Sequence, residues 1–214
     1  MTTKSWIRTW PTRRAFDVLK PTASMVHPLD IAHHLGMLCR FTGGCRNFYS
    51  VAEHCYWVSI RAEEIATKLR GSFLMNQNVI EAHVAYCARW GLLHDASEAY
   101  IADLNRPTKH SPGLEGYRQL EDGILIAIAE RFSLSLPMPA EVKQADDEML
   151  FTERRDLLET PDPEWDATIE VPREPLASYK VRMWLPGKAR KMWLKRFAQL
   201  FPEEWEKIRM EFPL

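Results

Sequence analysis

His54, His94, Asp95 and Asp146 are the residues from which chemistry can first be argued. His54 stands between Val51, three residues back, and Val58, four residues on. Those flanking positions share a helix face with it, so its imidazole points where a core should be. His94 and Asp95 close the apolar run Trp90-Gly91-Leu92-Leu93. After Ala140 the apolar set is Val142, Ala145, Met149, Leu150 and Leu157. At ~100° per residue, Asp146 falls about 30° from the centre of that stripe and Asp147 more than about 100° away. Asp146 is therefore expected to face inward. A lone buried imidazole or carboxylate is costly, and three helices aiming two His and two Asp inward need a common partner. A divalent cation supplies one. Two nitrogens and two oxygens would leave part of an octahedral shell open for water and substrate. Such a donor set suits Mn²⁺, Co²⁺, Ni²⁺, Fe²⁺ or Zn²⁺ better than Ca²⁺. One histidine on an apolar face is more often a hydrogen-bonded core residue; the combination carries the argument.

These side chains need helices to hold them. Ile31, Leu35 and Leu38 fall at i, i+4 and i+7 after Pro28, which predicts a short helix through Asp30 to Cys39, with Thr42-Gly43-Gly44 as the break after it. Ser50-Val51-Ala52-Glu53 reads as a capping box in which Ser50 and Glu53 satisfy each other's backbone N–H groups, opening a helix to about Leu69. Asn78 to Glu81 repeats the signal and predicts a helix to about Tyr100. Pro107 and Pro112 predict a loop, and helices are expected over 114–132, with Leu114, Tyr117, Ile124, Leu125 and Ile128 inward, and over 140–158. Four prolines between 161 and 175 predict a long loop, with some extended structure at Thr168 to Val171. Terminal helices are expected over 188–201 and 203–210. Residues 1–27 carry Trp6, Trp10, Pro11 and Pro21 without periodicity and read as an irregular arm. The expected fold is all-α: a helical bundle over 28–158, with a C-terminal extension over 159–214 packed on it.

The 214 residues suffice for one substantial core. A net charge of −1 provides no global field toward nucleic acid or membrane. No apolar run could span a bilayer, and the N-terminus lacks the apolar region of a secretory signal. The four cysteines, Cys39, Cys45, Cys55 and Cys87, have no CxxC spacing. They read as reduced thiols of a cytoplasmic protein, too scattered to predict a zinc site of their own.

Three stretches resemble HD-domain phosphohydrolases, more narrowly the YfbR-type 5′-deoxynucleotidases and their phage-encoded relatives. They are Leu38-Cys39-Arg40-Phe41 with Phe48 to His54, Leu93-His94-Asp95 through Asp103 with Pro107-Thr108-Lys109, and Val142 to Asp146. The resemblance covers about residues 28–158 and implies an HD-domain bundle. It also implies metal ligation by His54, His94, Asp95 and Asp146, phosphate binding by Arg40, and acid/base work by Glu98 assisted by Asp103. Glu98 is four residues from His94 and three from Asp95, which places it on their helix face and in reach for proton transfer. The expected activity is hydrolysis of (deoxy)nucleotides, first a deoxynucleoside 5′-monophosphate. A dNTP triphosphohydrolase and a nucleotide-sensing protein with little turnover are the alternatives. Phe41 stands where the deoxynucleotidase branch often has Trp. Arg106, Lys109 and Lys143 read equally as phosphate contacts or solvated charges.

The other polar residues read more plainly. His33, His34, His83 and His110 are expected to be structural or at the rim. Glu153, two turns beyond Asp146, is expected to pair with a buried arginine, Arg40 or Arg46. The basic stretch from Lys180 to Arg196, with Trp184, Trp193 and Phe197 interleaved, reads as the solvated face of an amphipathic helix rather than a groove for polymeric nucleic acid. Trp193, Phe197 and Leu200 read as core or dimer packing, and a homo-oligomer is the expected assembly.

Overall fold

Ser50 starts the helix that carries His54. Its Oγ accepts from the Glu53 N–H at 3.1 Å, half of the expected capping box. The computed structural model describes residues 5–68, 76–158 and 174–212. In chain order its helices are α1 (Pro28–Met37), α2 (Val51–Lys68), α3 (Gln77–Leu93), α4 (Glu98–Ile101), α5 (Arg106–Lys109), α6 (Glu115–Arg131), α7 (Ala140–Leu157), α8 (Pro186–Leu200) and α9 (Pro202–Glu211). The fold is predominantly helical, as expected. The extended structure expected at Thr168 to Val171 lies outside the described residues.

The N-terminal arm is not irregular. Strands β1 (Trp6–Arg8) and β2 (Ala15–Asp17) form an antiparallel hairpin with Ile7 opposite Phe16. Three-residue strands are too short to display an alternation, so tertiary contacts define this one. Thr12 donates to the Asp30 carboxylate from its N–H at 2.9 Å and its hydroxyl at 2.6 Å. The Trp10 N–H donates to His34 Nε2 at 3.0 Å. That leaves His34 Nδ1–H to donate to the Ala99 carbonyl at 2.7 Å. His34 thus ties the arm to α1 and α1 to α4, a structural role as expected.

Two further boundaries differ from expectation. The cap of α3 is Asn76, whose side chain accepts from the Asn78 N–H at 2.9 Å, not Asn78 itself. The helix also stops at Leu93 instead of Tyr100, because the chain tightens through i→i+3 bonds: Ala96 N–H to Leu93, Glu98 N–H to Asp95 and Tyr100 N–H to Ser97. The expected loop at Pro107 contains the single turn α5, capped by Asn105, which accepts from the Thr108 N–H at 3.1 Å.

The core is continuous from the arm to the last helix. It joins Phe16, Val58, Trp90, Leu93, Ile128, Met149, Trp193 and Phe197. Trp193 stacks on Phe197 with ring centroids 5.5 Å apart, so the α8 stripe is core. Arg196 is buried and donates to Ser59 Oγ at 3.0 Å, and α8 packs on α1 and α2. Along the principal pairing, α2 against α3, Gly91 permits the close approach. A Cβ there would lie 2.8 Å from Ser59 Cα and 3.0 Å from the Val58 carbonyl. Gly91 is one turn before His94, so this contact sets the distance between the two histidine-bearing helices.

Candidate metal centre

His54 comes from α2, His94 and Asp95 from the tightened turn after α3, and Asp146 from α7. Their donor atoms converge. His54 Nε2 lies 3.2 Å from His94 Nε2, 3.5 Å from Asp95 Oδ2 and 3.2 Å from Asp146 Oδ1. His94 Nε2 lies 3.2 Å from Asp95 Oδ2 and 3.9 Å from Asp146 Oδ1. Neighbouring donors around an ion with bonds of about 2.1 Å stand about 3 Å apart in an octahedron, so the His54–His94–Asp146 cluster, with Asp95 beside both histidines, has spacing of the kind a divalent transition ion takes.

The tautomers agree. His94 Nδ1–H donates to the Gly91 carbonyl at 2.9 Å, and His54 Nδ1 lies 2.6 Å from Glu153 Oε1, where its N–H donates to the carboxylate. Both Nε2 atoms are therefore free to present lone pairs inward, the usual outer-shell arrangement for metal-bound histidines. Burial opposes charging of both rings, but the surrounding carboxylates outweigh it and hold both imidazole pKa values above the ordinary one. Burial likewise opposes ionisation of Asp95 and Asp146, yet the facing histidines, with Arg40 beside Asp95, keep both carboxyls far below the usual range. His54, His94 and Asp146 form a donor group that could hold a metal ion.

Of the two neighbouring carboxylates it is Asp146 that lies beside His54 and His94. Asp147 is nonetheless buried, because Lys143 covers it at 2.7 Å and Arg106 Nη2 lies 3.8 Å away. Lys143 is thereby engaged with Asp147, while the Arg106 side chain stays 46% exposed. Glu153 meets Arg40, the first of its two expected partners, with Arg40 Nε 3.2 Å from Glu153 Oε2. This is an ion pair without an aligned hydrogen bond at either atom. Tyr49 also donates to Glu153 Oε1 at 2.8 Å. Arg46 instead donates to the Asp156 carbonyl at 3.1 Å.

Arg40 also reaches Asp95, with Nη1 3.4 Å from Oδ2, so it flanks the centre directly. Its guanidinium lies 5.4 Å from the Phe41 ring centroid. Phe41 and Thr42 both adopt left-handed backbone, φ 57° and 55°, in the turn that presents Arg40. Glu98 is buried at the start of α4, and its Oε2 has no hydrogen-bond partner among the described residues. Burial, then the charges of Asp95 and Asp103, push its carboxyl well above the usual range. Lys109 Nζ lies 3.7 Å from Glu98 Oε1 and 2.7 Å from Glu121 Oε1, so it is an interior ion-pair partner rather than a solvated charge. Burial also raises the Asp103 carboxyl, while Arg40 opposes the shift.

Two residues at or beside the centre were not anticipated. Cys55 forms a donor cluster with His94 and Asp95, and burial pushes its thiol up to about 11. Its position directly after His54 was the available signal. Glu53 does not complete its capping box. Its carboxylate accepts from the Arg182 N–H at 2.7 Å, Met183 N–H at 3.1 Å and Trp184 N–H at 2.6 Å. It therefore anchors the C-terminal extension to the helix that carries His54.

A protein named as uncharacterized YfdR, from Escherichia coli K12, is 33% identical to this chain over 171 residues, covering 80% of this chain and 82% of that protein. The chain belongs to the YfdR family. A further relative, the uncharacterized protein RCAP_rcc00048 of Rhodobacter capsulatus, is 33% identical over 147 residues, covering 66% of this chain and 65% of that protein. No protein-family model matches the chain. Neither the YfdR name nor that of the Rhodobacter protein states an activity. Among the described residues no helix is long and apolar enough to cross a membrane.

Proposed function

We propose that this chain is an HD-domain, metal-dependent phosphohydrolase of (deoxy)nucleotides, acting first on deoxynucleoside 5′-monophosphates. The observation that carries the reading is the convergence of His54, His94, Asp95 and Asp146 beside Arg40 and a buried, unpartnered Glu98 oxygen. A divalent ion held by those four residues would polarise a phosphoryl oxygen and lower the pKa of water. Arg40, kept in place by Glu153 and Asp95, would bind the phosphoryl oxygens through its planar guanidinium. Glu98, whose carboxyl is pushed well above the usual range, would act as the general acid and donate to the nucleoside oxygen as its bond to phosphorus breaks. Lys109 would receive the resulting carboxylate charge, and Asp103 would tune it through the shared field.

The exposed Arg106 beside Asp147 favours a second reading, a dNTP triphosphohydrolase in which Arg106 meets the added phosphates. Phosphate release with each divalent ion and each nucleotide class tests both. Monophosphates should give phosphate directly. dNTPs that give tripolyphosphate would favour the second reading, and neither product would make the protein a sensor. Asp95→Ala should lose metal and turnover together, whereas Glu98→Ala should keep metal and lose turnover. Full activity in Asp95→Ala would refute the site.

A further inference from the structure

A second group of metal-ligating side chains lies on the seam between α3 and α7. His83 and Cys87 are one helical turn apart on α3, and Glu141 is in the first turn of α7. His83 Nε2 lies 2.9 Å from Glu141 Oε1 and 3.5 Å from Cys87 Sγ. All three donor atoms fall within 4.8 Å of one another. Tetrahedral zinc, with bonds of about 2.3 Å to sulfur and about 2.0 Å to nitrogen or oxygen, needs N···S of about 3.6 Å and N···O of about 3.3 Å. The side chains already stand close to those separations.

We propose that His83, Cys87 and Glu141 form a zinc site separate from the His54–His94–Asp95–Asp146 centre, with its fourth position open to water. A His/Cys/carboxylate set takes Zn²⁺ or another thiophilic divalent ion, not Mg²⁺ or Ca²⁺. The His83 side chain is 45% exposed and supplies the entry path, while Cys87 is buried behind it. Burial and the neighbouring Glu141 charge push the Cys87 thiol up to about 12. Zinc binding would release the Cys87 thiol proton to solvent and replace the His83–Glu141 contact by two metal bonds, with neutral His83 carrying its proton on Nδ1 and binding through the Nε2 lone pair. The ion would clip α3 to α7, the helices that lead into His94-Asp95 and carry Asp146. The sequence alone did not point to this second site because its ligands come from segments more than fifty residues apart, around one cysteine.

Cobalt(II) and zinc titrations of the full chain test this. Thiolate ligation should give a sulfur-to-cobalt charge-transfer band. Cys87→Ser should abolish the band and bind one zinc equivalent fewer than the unsubstituted chain. His83→Ala, at a partly exposed position where folding is expected to survive, should weaken that equivalent at least tenfold, and Glu141→Gln should weaken it less. Asp95→Ala should leave the band in place, which separates this site from the first centre and from Cys55. Absence of the band, its survival in Cys87→Ser, or equal zinc stoichiometry and affinity in His83→Ala and the unsubstituted chain would overturn the proposal.

Discussion

Glu153→Gln removes one charge from a buried polar cluster while nearly preserving shape. Glu153 is fully buried and meets Arg40 Nε at 3.2 Å, His54 Nδ1 at 2.6 Å and the Tyr49 hydroxyl at 2.8 Å. At an effective dielectric of about 20, unit charges at the Arg40–Glu153 distance attract by about 5 kcal/mol. Asp95 remains beside Arg40, and the lost carboxylate no longer has to be desolvated, so part of that attraction is offset. Breaking a buried pair typically costs about 3–5 kcal/mol, and the retained Asp95 contact places the expected loss at about 2–4 kcal/mol. Tyr49 and His54 share Oε1 while Arg40 faces Oε2, so an amide oxygen drawn to Arg40 turns its NH2 against the Nδ1–H of His54. His54 should then lose its preferred orientation, and metal affinity should fall about 10–100-fold. Urea unfolding reads the first effect and calorimetric metal titration the second. A variant within about 0.5 kcal/mol of the unsubstituted chain, with unchanged metal affinity, would refute the coupling of Arg40 and His54 through Glu153.

Gly91→Ala should destabilise by about 1–3 kcal/mol, because the new methyl meets the α2 backbone at 2.8 Å. Thermal melting should show a midpoint lower by several degrees, and an unchanged midpoint would mean the helices can part freely. Glu53→Ala should cost about 2–4 kcal/mol by stranding three backbone N–H donors. Hydrogen exchange should accelerate at Arg182 to Trp184, and unaltered protection there would deny the anchoring role. Burial, aided by the Arg14 charge, pushes the His27 pKa down to about 4 from 6.5. Its neutral form therefore supports the fold fully above about pH 6.5, and that contribution is lost as pH falls through about 4. The shift corresponds to about 3 kcal/mol at about 1.4 kcal/mol per unit, reduced to roughly 1–2 kcal/mol by solvent screening. His27→Asn, which keeps an N-cap acceptor for α1, should flatten the fall in urea midpoint between pH 7 and pH 4.5, and equal falls in both proteins would count against it.

Helical periodicity made the inward side chains legible. A 100° rotation per residue is a local property, so it placed His54 between Val51 and Val58 and chose Asp146 over Asp147 without tertiary information. The composition and the core stripe of α8 were legible for the same reason. Other features depend on partners distant in sequence. The hairpin of the arm exists because Asp30 and His34 receive its backbone, and nothing in a three-residue strand announces that. The Ser50–Glu53 pattern did mark a helix start, but Glu53 turned to N–H groups on the C-terminal extension, which no local pattern encodes. The break after Leu93 follows from successive i→i+3 bonds, whereas the apolar run alone predicted a continuous helix.

By itself, then, the sequence determined that His54 and Asp146 turn toward the interior of their helices, because side-chain direction follows from helical pitch. Only the tertiary structure decided which of them meet. His54 finds Glu153 99 residues away, and Arg40 finds Asp95 55 residues away. Those pairings are set by helix packing, including the close contact at Gly91, and by the high cost of leaving a buried charge without a partner.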